Sequence, residues 1–281
     1  MNNPRLLMIQ FITVILSIGI WACPSTPETT PTERDLDQHF YFVQITDTHF
    51  GDGDHFARVE KIVDAINELP MEIICVVHTG DITSENITQD SIMTRGMAIL
   101  KKLKMPIHFV PGNHDIYEDD FDLSLEMYKH YFGELINVNE YHGVQFITLY
   151  TEPLVYNFQV NDYNPMMELE TTLKDGNGKP ALVFHHSPSA GDFYNNAMHD
   201  SWEKSAIPPW IELLNSYNVK AVMTGHYHRD EYHWLGEVPL FVSDPVGSWY
   251  GRQGSFRIYE YNNGKLSYTT QYINMKPWRS E

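Results

Sequence analysis

Cysteine is almost absent from this chain of 281 residues: Cys23 and Cys75 are its two examples. That scarcity excludes a disulfide scaffold and a cysteine-built zinc cluster. Cys75 lies inside the apolar run Ile73–Val77 and reads as a core residue. Basic residues are also scarce, 19 Lys and Arg against 37 Asp and Glu, for a formal net charge of -18. A nucleic-acid backbone needs a basic surface to hold it, so this balance argues against general nucleic-acid binding, and no nucleic-acid partner is expected. Phosphate substrates are not excluded, because bound divalent cations can reverse the field of an acidic protein where an anion docks. No internal repeat occurs, and no low-complexity tract lies beyond residue 40. The length then favours one α/β domain.

The single long apolar run is at the start. After Arg5, residues 6–22 are interrupted only by Gln10, Thr13 and Ser17. A positive start, an apolar middle and a small residue before a cut site read as a signal peptide over residues 1–22. Ile20, Trp21, Ala22 and Cys23 resemble the lipobox of bacterial lipoproteins, although Trp21 is an odd occupant. The resemblance implies lipidation at Cys23, anchoring to the membrane and an extracytoplasmic place in a bacterial cell envelope. The alternative is an uncleaved signal anchor, since 17 residues approach the length that spans a bilayer. Both place Arg5 inside and the rest outside. Residues 23–38, rich in Pro, Thr and Glu, read as a flexible tether, and 39–281 as the folded domain.

Five short apolar runs in that domain each end in residues of metal-ligand type. Phe40–Ile45 leads to Asp47 and His49, Glu72–Val77 to Gly80 and Asp81, and Pro106–Val110 to Gly112, Asn113, His114 and Asp115. Ala181–Phe184 leads to His185 and His186, and Val219–Met223 to Gly225, His226 and His228. Length, β-branched content and flanking Gly or Pro make all five strands. Helical spacing separates them: Phe56 to Leu69, Ile92 to Leu103, Met167 to Leu173, and a start at Pro209. Alternating strand and helix predicts a largely parallel sheet, with loops at the strand ends converging on one crevice. The last sixty residues turn to strands, and Asn262 to Gly264 links two of them as a hairpin.

Imidazoles with carboxylates suit Zn, Fe or Mn rather than Ca or Mg. Two such cations joined by one shared carboxylate form a clamp for in-line displacement at phosphorus. Taken singly, the same residues have bland readings: Asp47 before Thr48 as a helix cap, Asn113 after Gly112 as a turn, His185 and His226 as core histidines. Their joint order is what matters. Asp47-x-His49, Gly80-Asp81, Gly112-Asn-His-Asp115, a strand-end His and Gly225-His-x-His228 together resemble the signature of the calcineurin-like metallophosphoesterases.

That resemblance implies two mixed β-sheets packed face to face and flanked by helices. It implies one metal held by Asp47, His49 and His228, a second by Asn113, His185 and His226, and Asp81 bridging both. His185 is preferred to His186 as the first His after its strand. His114 would contact the phosphoryl oxygens or protonate the leaving oxygen, with Asp115 orienting its ring, and a hydroxide between the two metals would attack. No Tyr follows Asp81 closely, which argues against a tyrosinate-bound ferric iron. His55, His78, His108 and His142 are given no role, and Tyr227, Trp234, Trp249 and Tyr250 are read as core or rim packing, with stacking on an organic part of the substrate as the alternative. The expectation is an exported phosphoesterase that carries two divalent or trivalent ions and hydrolyses a small phosphate mono- or diester. The rival reading is a non-catalytic surface lipoprotein that uses the same scaffold for binding.

Overall fold

The computed structural model describes residues 38–194, 199, 202–247 and 253–274. The expected signal peptide, the tether up to residue 37, the lipidation site Cys23, and Trp249 and Tyr250 lie outside these residues.

Strand β1 (His39–Ile45) pairs in parallel with β2 (Ile73–His78), and β2 with β3 (Ile107–Phe109). On the other side of β1, antiparallel, lies β10 (Ser255–Asn262), followed by β11 (Lys265–Tyr272). The β10–β11 turn places Asn263 and Gly264 at positive φ, the backbone that a two-residue hairpin loop requires. A second sheet runs β4 (Ile136–Tyr141), β5 (Val144–Leu149), β6 (Ala181–Phe184), β7 (Val219–Thr224), β9 (Val238–Val242), β8 (Glu231–Leu235). Its middle four strands are parallel and its two edges antiparallel. The five motif strands therefore divide between two mixed sheets instead of sharing the one sheet that alternation predicts.

Strand alternation builds the layers. Phe40 and Phe42 of β1, Leu182 and Phe184 of β6, and Ala221 and Met223 of β7 point into one shared buried cluster. The residues between them point the other way. Val43 and Ile45 join a cluster with Val59, Ile62 and Ile66 of α1 (His55–Asn67) and with Ile99 and Leu100 of α2 (Asp90–Leu100). The same cluster takes in Tyr128 of α3 (Phe121–Phe132). Ala181 and Val183 meet Leu169 and Leu173 of α5 (Pro165–Asp175), and Trp210 and Leu214 of α6 (Ile207–Ser216). A single turn, α4 (Glu152–Val155), follows β5. Helices thus flank two sheets that face each other. Asn164 caps α5, accepting from the N–H groups of Met166 and Met167, ahead of Pro165 in the first turn. None of the described helices is long and apolar enough to cross a membrane.

Candidate metal centre

The loops that leave β1, β2, β3, β6 and β7 are tied to one another through their backbones. Asp47 N–H donates to Gly80 O at 2.9 Å and His49 N–H to Asp81 O at 3.0 Å. Glu85 N–H donates to His114 O at 3.0 Å and Gly225 N–H to His186 O at 3.1 Å. Five motif residues of these loops, Asp47, His49, Asp81, His226 and His228, have positive φ between 42° and 68°. This backbone region is uncommon for residues with a Cβ, and such strain concentrates at functional sites. Two motif glycines are explained by close approach. A Cβ on Gly112 would lie 2.2 Å from Asp81 Oδ1, and one on Gly225 would lie 2.0 Å from Thr46 Oγ1.

The donor atoms fall into two groups that share Asp81: Asp47, His49, Asp81 and His228 in one, Asp81, His186 and His226 in the other. Within each, the atoms lie within 4.8 Å of one another. Asp81 Oδ2 is 3.0 Å from His186 Nε2 and 3.6 Å from His49 Nε2, while Oδ1 accepts the His114 N–H at 2.9 Å. Asp47 Oδ1 is 3.1 Å from His228 Nε2, and Oδ2 accepts from Thr46 at 2.6 Å and from the His226 N–H at 3.2 Å. Outer contacts orient the rings, as is usual around metal-ligating histidines. His186 Nδ1 meets Thr79 O at 2.7 Å, and His49 Nδ1 meets Ser84 Oγ at 3.1 Å. His78 Nε2 braces Thr48 Oγ1 at 2.9 Å, a structural use that agrees with giving it no other.

The electrostatics fit a cation site. Asp47 and Asp81 are at most 1% exposed, and among the described residues no lysine or arginine is ion-paired to either. Burial works against their ionisation, yet His228 beside Asp47 and His186 beside Asp81 hold both carboxyls below their ordinary values. Asp81 in turn raises His186 against the effect of its burial, so His186 must give up its proton to a metal. Burial pushes His49 down to about 3 despite Asp81 and Asp47, and pushes His226 well down also, so both are neutral imidazoles able to bind metal. Asn113 Oδ1 and His226 Nε2 are buried with no hydrogen-bond partner. Buried polar atoms are almost always satisfied, and a pair of cations would satisfy these two.

His185 is in neither group. It packs against the rings of Trp202 and Trp210, each centroid 5.4 Å away, and its Nδ1 bonds Ser187 O at 3.0 Å. Burial lowers it to about 3. The preference for His185 over His186 is therefore corrected. The signal was in strand β6: Leu182 and Phe184 face the space between the sheets, so period two places His186 on that face and His185 behind it. A second correction concerns Asp115. Its oxygens accept from Thr83 N–H at 2.9 Å, Thr83 Oγ1 at 3.1 Å and Gly112 N–H at 2.9 Å, which braces two loops and leaves the His114 ring untouched. The ring is held by Glu85, whose Oε1 is 3.0 Å from His114 Nδ1. Burial pushes His114 down, but Asp81 and Glu85 outweigh it and raise the imidazole above its ordinary value. Sequence reading also passed over His199, whose ring is 5.5 Å from those of both His226 and His228. Of the aromatics read as packing, Tyr227 is buried and donates to Ala190 O at 2.5 Å, whereas Trp234 is 60% exposed.

Comparison with known proteins places this geometry. The sequence matches the model of the calcineurin-like phosphoesterases over residues 40–230. The chain belongs to the calcineurin-like phosphoesterase family. It is 24% identical over 209 residues to a probable cyclic nucleotide phosphodiesterase of Fibrobacter succinogenes, covering 71% of this chain and 77% of that one. It is also 24% identical over 256 residues to a serine/threonine-protein phosphatase of Mus musculus, covering 78% and 79%. Its fold is similar to that of a dimetal phosphatase from Danio rerio, with TM-score 0.58 at 15% identity over 85% of this chain and 100% of the other. As a calcineurin-like phosphoesterase the protein is a hydrolase of phosphate ester bonds, with two candidate metal-ligand groups in place.

Proposed function

We propose that the protein is an exported phosphoesterase, lipid-anchored at Cys23, that hydrolyses a small extracytoplasmic phosphate mono- or diester at a dinuclear centre bridged by Asp81. The observation that carries the reading is the pair of donor groups meeting at one buried carboxylate. Asp47, His49 and His228 would hold one ion, and Asn113, His186 and His226 the other. Imidazole with carboxylate and no thiolate suits Mn, Fe or Zn. When bound, the ions supply Lewis-acid polarisation of the phosphoryl group and lower the pKa of water.

The remaining work falls to the chain's own side chains. Asp47 and Asp81 are fixed by Thr46 Oγ1 and the His114 N–H, so little reorganisation accompanies the reaction. His114 is half-exposed, and with Nδ1 engaged by Glu85 its Nε2 is the atom left to reach a phosphoryl oxygen or to protonate the leaving oxygen. Acidity of the whole chain disfavours a nucleic-acid substrate. Export supports a small ester found outside the cytoplasm, and the apolar run before Cys23 supports export.

Aryl phosphate monoester and bis-aryl diester, offered to the manganese-loaded protein, test the reading together. Turnover is expected, and the ratio of the two rates fixes the ester class. Asp81→Asn should lower kcat/KM at least about 100-fold, the scale on which removal of a key stabilising charge acts. Absence of wild-type turnover on both substrates would establish the rival, binding-only protein. Mass spectrometry of the membrane fraction should find Cys23 acylated as first residue; a mature chain that retains Leu6 contradicts the anchor.

A further inference from the structure

A cavity of about 570 Å³ opens beside the metal centre, and Asn113 and Glu85 belong to both. Its size is that of a small-molecule site. Five rings, Tyr117, Phe121, Tyr150, Tyr156 and Phe158, line its wall. Its acidic members are Glu85, Glu118 and Glu152, and among the described residues no Lys, Arg or His lines it. Glu152 is 1% exposed. Its Oε2 accepts from Ser187 Oγ at 3.0 Å, but its Oε1 has no hydrogen-bond partner. Tyr150, also in the wall, has a buried hydroxyl without a partner. Such groups are rarely left unsatisfied, and here both line an aromatic cavity next to the reacting centre.

We propose that this cavity seats the alcohol part of the substrate, and that the alcohol carries an ammonium group: the ester is a phosphorylated amino alcohol. The inference rests on the phosphoesterase reading above. Aromatic faces attract a cation through their quadrupoles, and quaternary ammonium ions are held in aromatic cages for that reason. Carboxylates in the same wall add charge of the matching sign; Glu85 shares its own with His114 at 3.0 Å, and no Lys or Arg lines the wall to oppose Glu118 and Glu152. An alcohol bearing a carboxylate or further phosphate would be repelled. Burial holds the Glu152 carboxyl up at about 7, and a cation beside Oε1 favours its ionised form. In the reaction, water adds to phosphorus and the bond from phosphorus to the alcohol oxygen breaks. The alcohol leaves with a proton, and phosphate or a phosphate monoester remains.

Choline and its neutral carbon isostere, 3,3-dimethylbutanol, separate charge from shape. Calorimetric titration of the manganese-loaded full chain should show choline binding at least about tenfold tighter, the range of a desolvated cation–π contact. Glu152→Gln should erase that preference. Tyr156→Leu, at a residue 43% exposed where folding is not at stake, should weaken choline several-fold and leave the isostere little changed. Equal affinity for the two alcohols, or no choline binding at millimolar concentration, overturns the proposal. Turnover of phosphocholine against 3,3-dimethylbutyl phosphate should show the same preference in kcat/KM. Phosphatidylcholine vesicles tell a lipid headgroup from a soluble ester, and hydrolysis of either supports the proposal. If aryl phosphates are hydrolysed but both choline esters are refused, this inference fails and the phosphoesterase reading stands. Should choline bind selectively to a protein that hydrolyses nothing, the cavity is a site for an amino alcohol, but the phosphoesterase reading fails and the assignment of a substrate fails with it.

Discussion

Asp81 and His186 form the shortest contact between two donor side chains of the centre, and the neighbouring His185 is the residue against which a role for His186 is best measured. His186→Ala removes a donor and should cost the protein one ion per chain together with its activity. His185→Ala leaves both donor groups intact but opens a void beside Trp202 and Trp210. It should retain two ions and lose about 2–4 kcal/mol of stability, as large-to-small core changes do. Metal analysis and urea unfolding of the two variants decide, and the opposite assignment of losses would restore His185. Glu152 gives a separate handle. The unfolded chain ionises this carboxyl near 4.5, whereas burial keeps it protonated in the folded protein up to about 7. Between those values the folded state binds more protons, so its stability falls as pH rises through the window and is level on either side. The wild type should lose about 3 kcal/mol relative to Glu152→Gln from pH 4.5 to 7. Equal unfolding profiles would show Glu152 to be solvated.

At the scale of elements, what could be read from the sequence was what is buried on both faces or strictly periodic. Strands β1, β2, β6 and β7 are continuous apolar runs and were found within a residue or two, as was helix α1 with its three- and four-residue spacing. Strands β4 and β8 were not found. They are the edges of the second sheet, and their half-buried sequences, Ile136–Tyr141 and Glu231–Leu235, carry Asn, Glu and His among the apolar residues. Neither could the strand motifs say that they served two sheets, because register and order depend on contacts between distant segments. For the site, all five loops were legible from residue type and order. The parts missed depend on side-chain direction: which of two adjacent histidines faces inward, and that Glu85, 29 positions from His114, reaches its ring. Asn164 illustrates a purely local device. Asn164→Ala removes the cap of α5 and should lower stability by about 1 kcal/mol without altering turnover, since the helix lies on the outer face of the second sheet. A larger loss, or a change in kcat, would mean that the cap also positions the site.

Over the whole molecule, the two sheets each bring half of the centre. The first supplies Asp47, His49, Asp81, Asn113 and His114, and the second supplies His186, His226 and His228. They are joined by an aromatic layer in which Phe42 stacks on Tyr259 and meets Phe146 and Phe184 edge to face. The centre is therefore complete only when the sheets pack. Two bound cations would crosslink them and neutralise carboxylates buried in a chain of net charge -18. The most direct test is anomalous scattering from a crystal of the manganese-loaded protein. The account predicts two manganese peaks about 3.5–4 Å apart, the spacing of two-metal hydrolytic sites. Asp81 should lie between them, and His186 should be a ligand of one. A single peak, or a pair that Asp81 does not bridge, would contradict it.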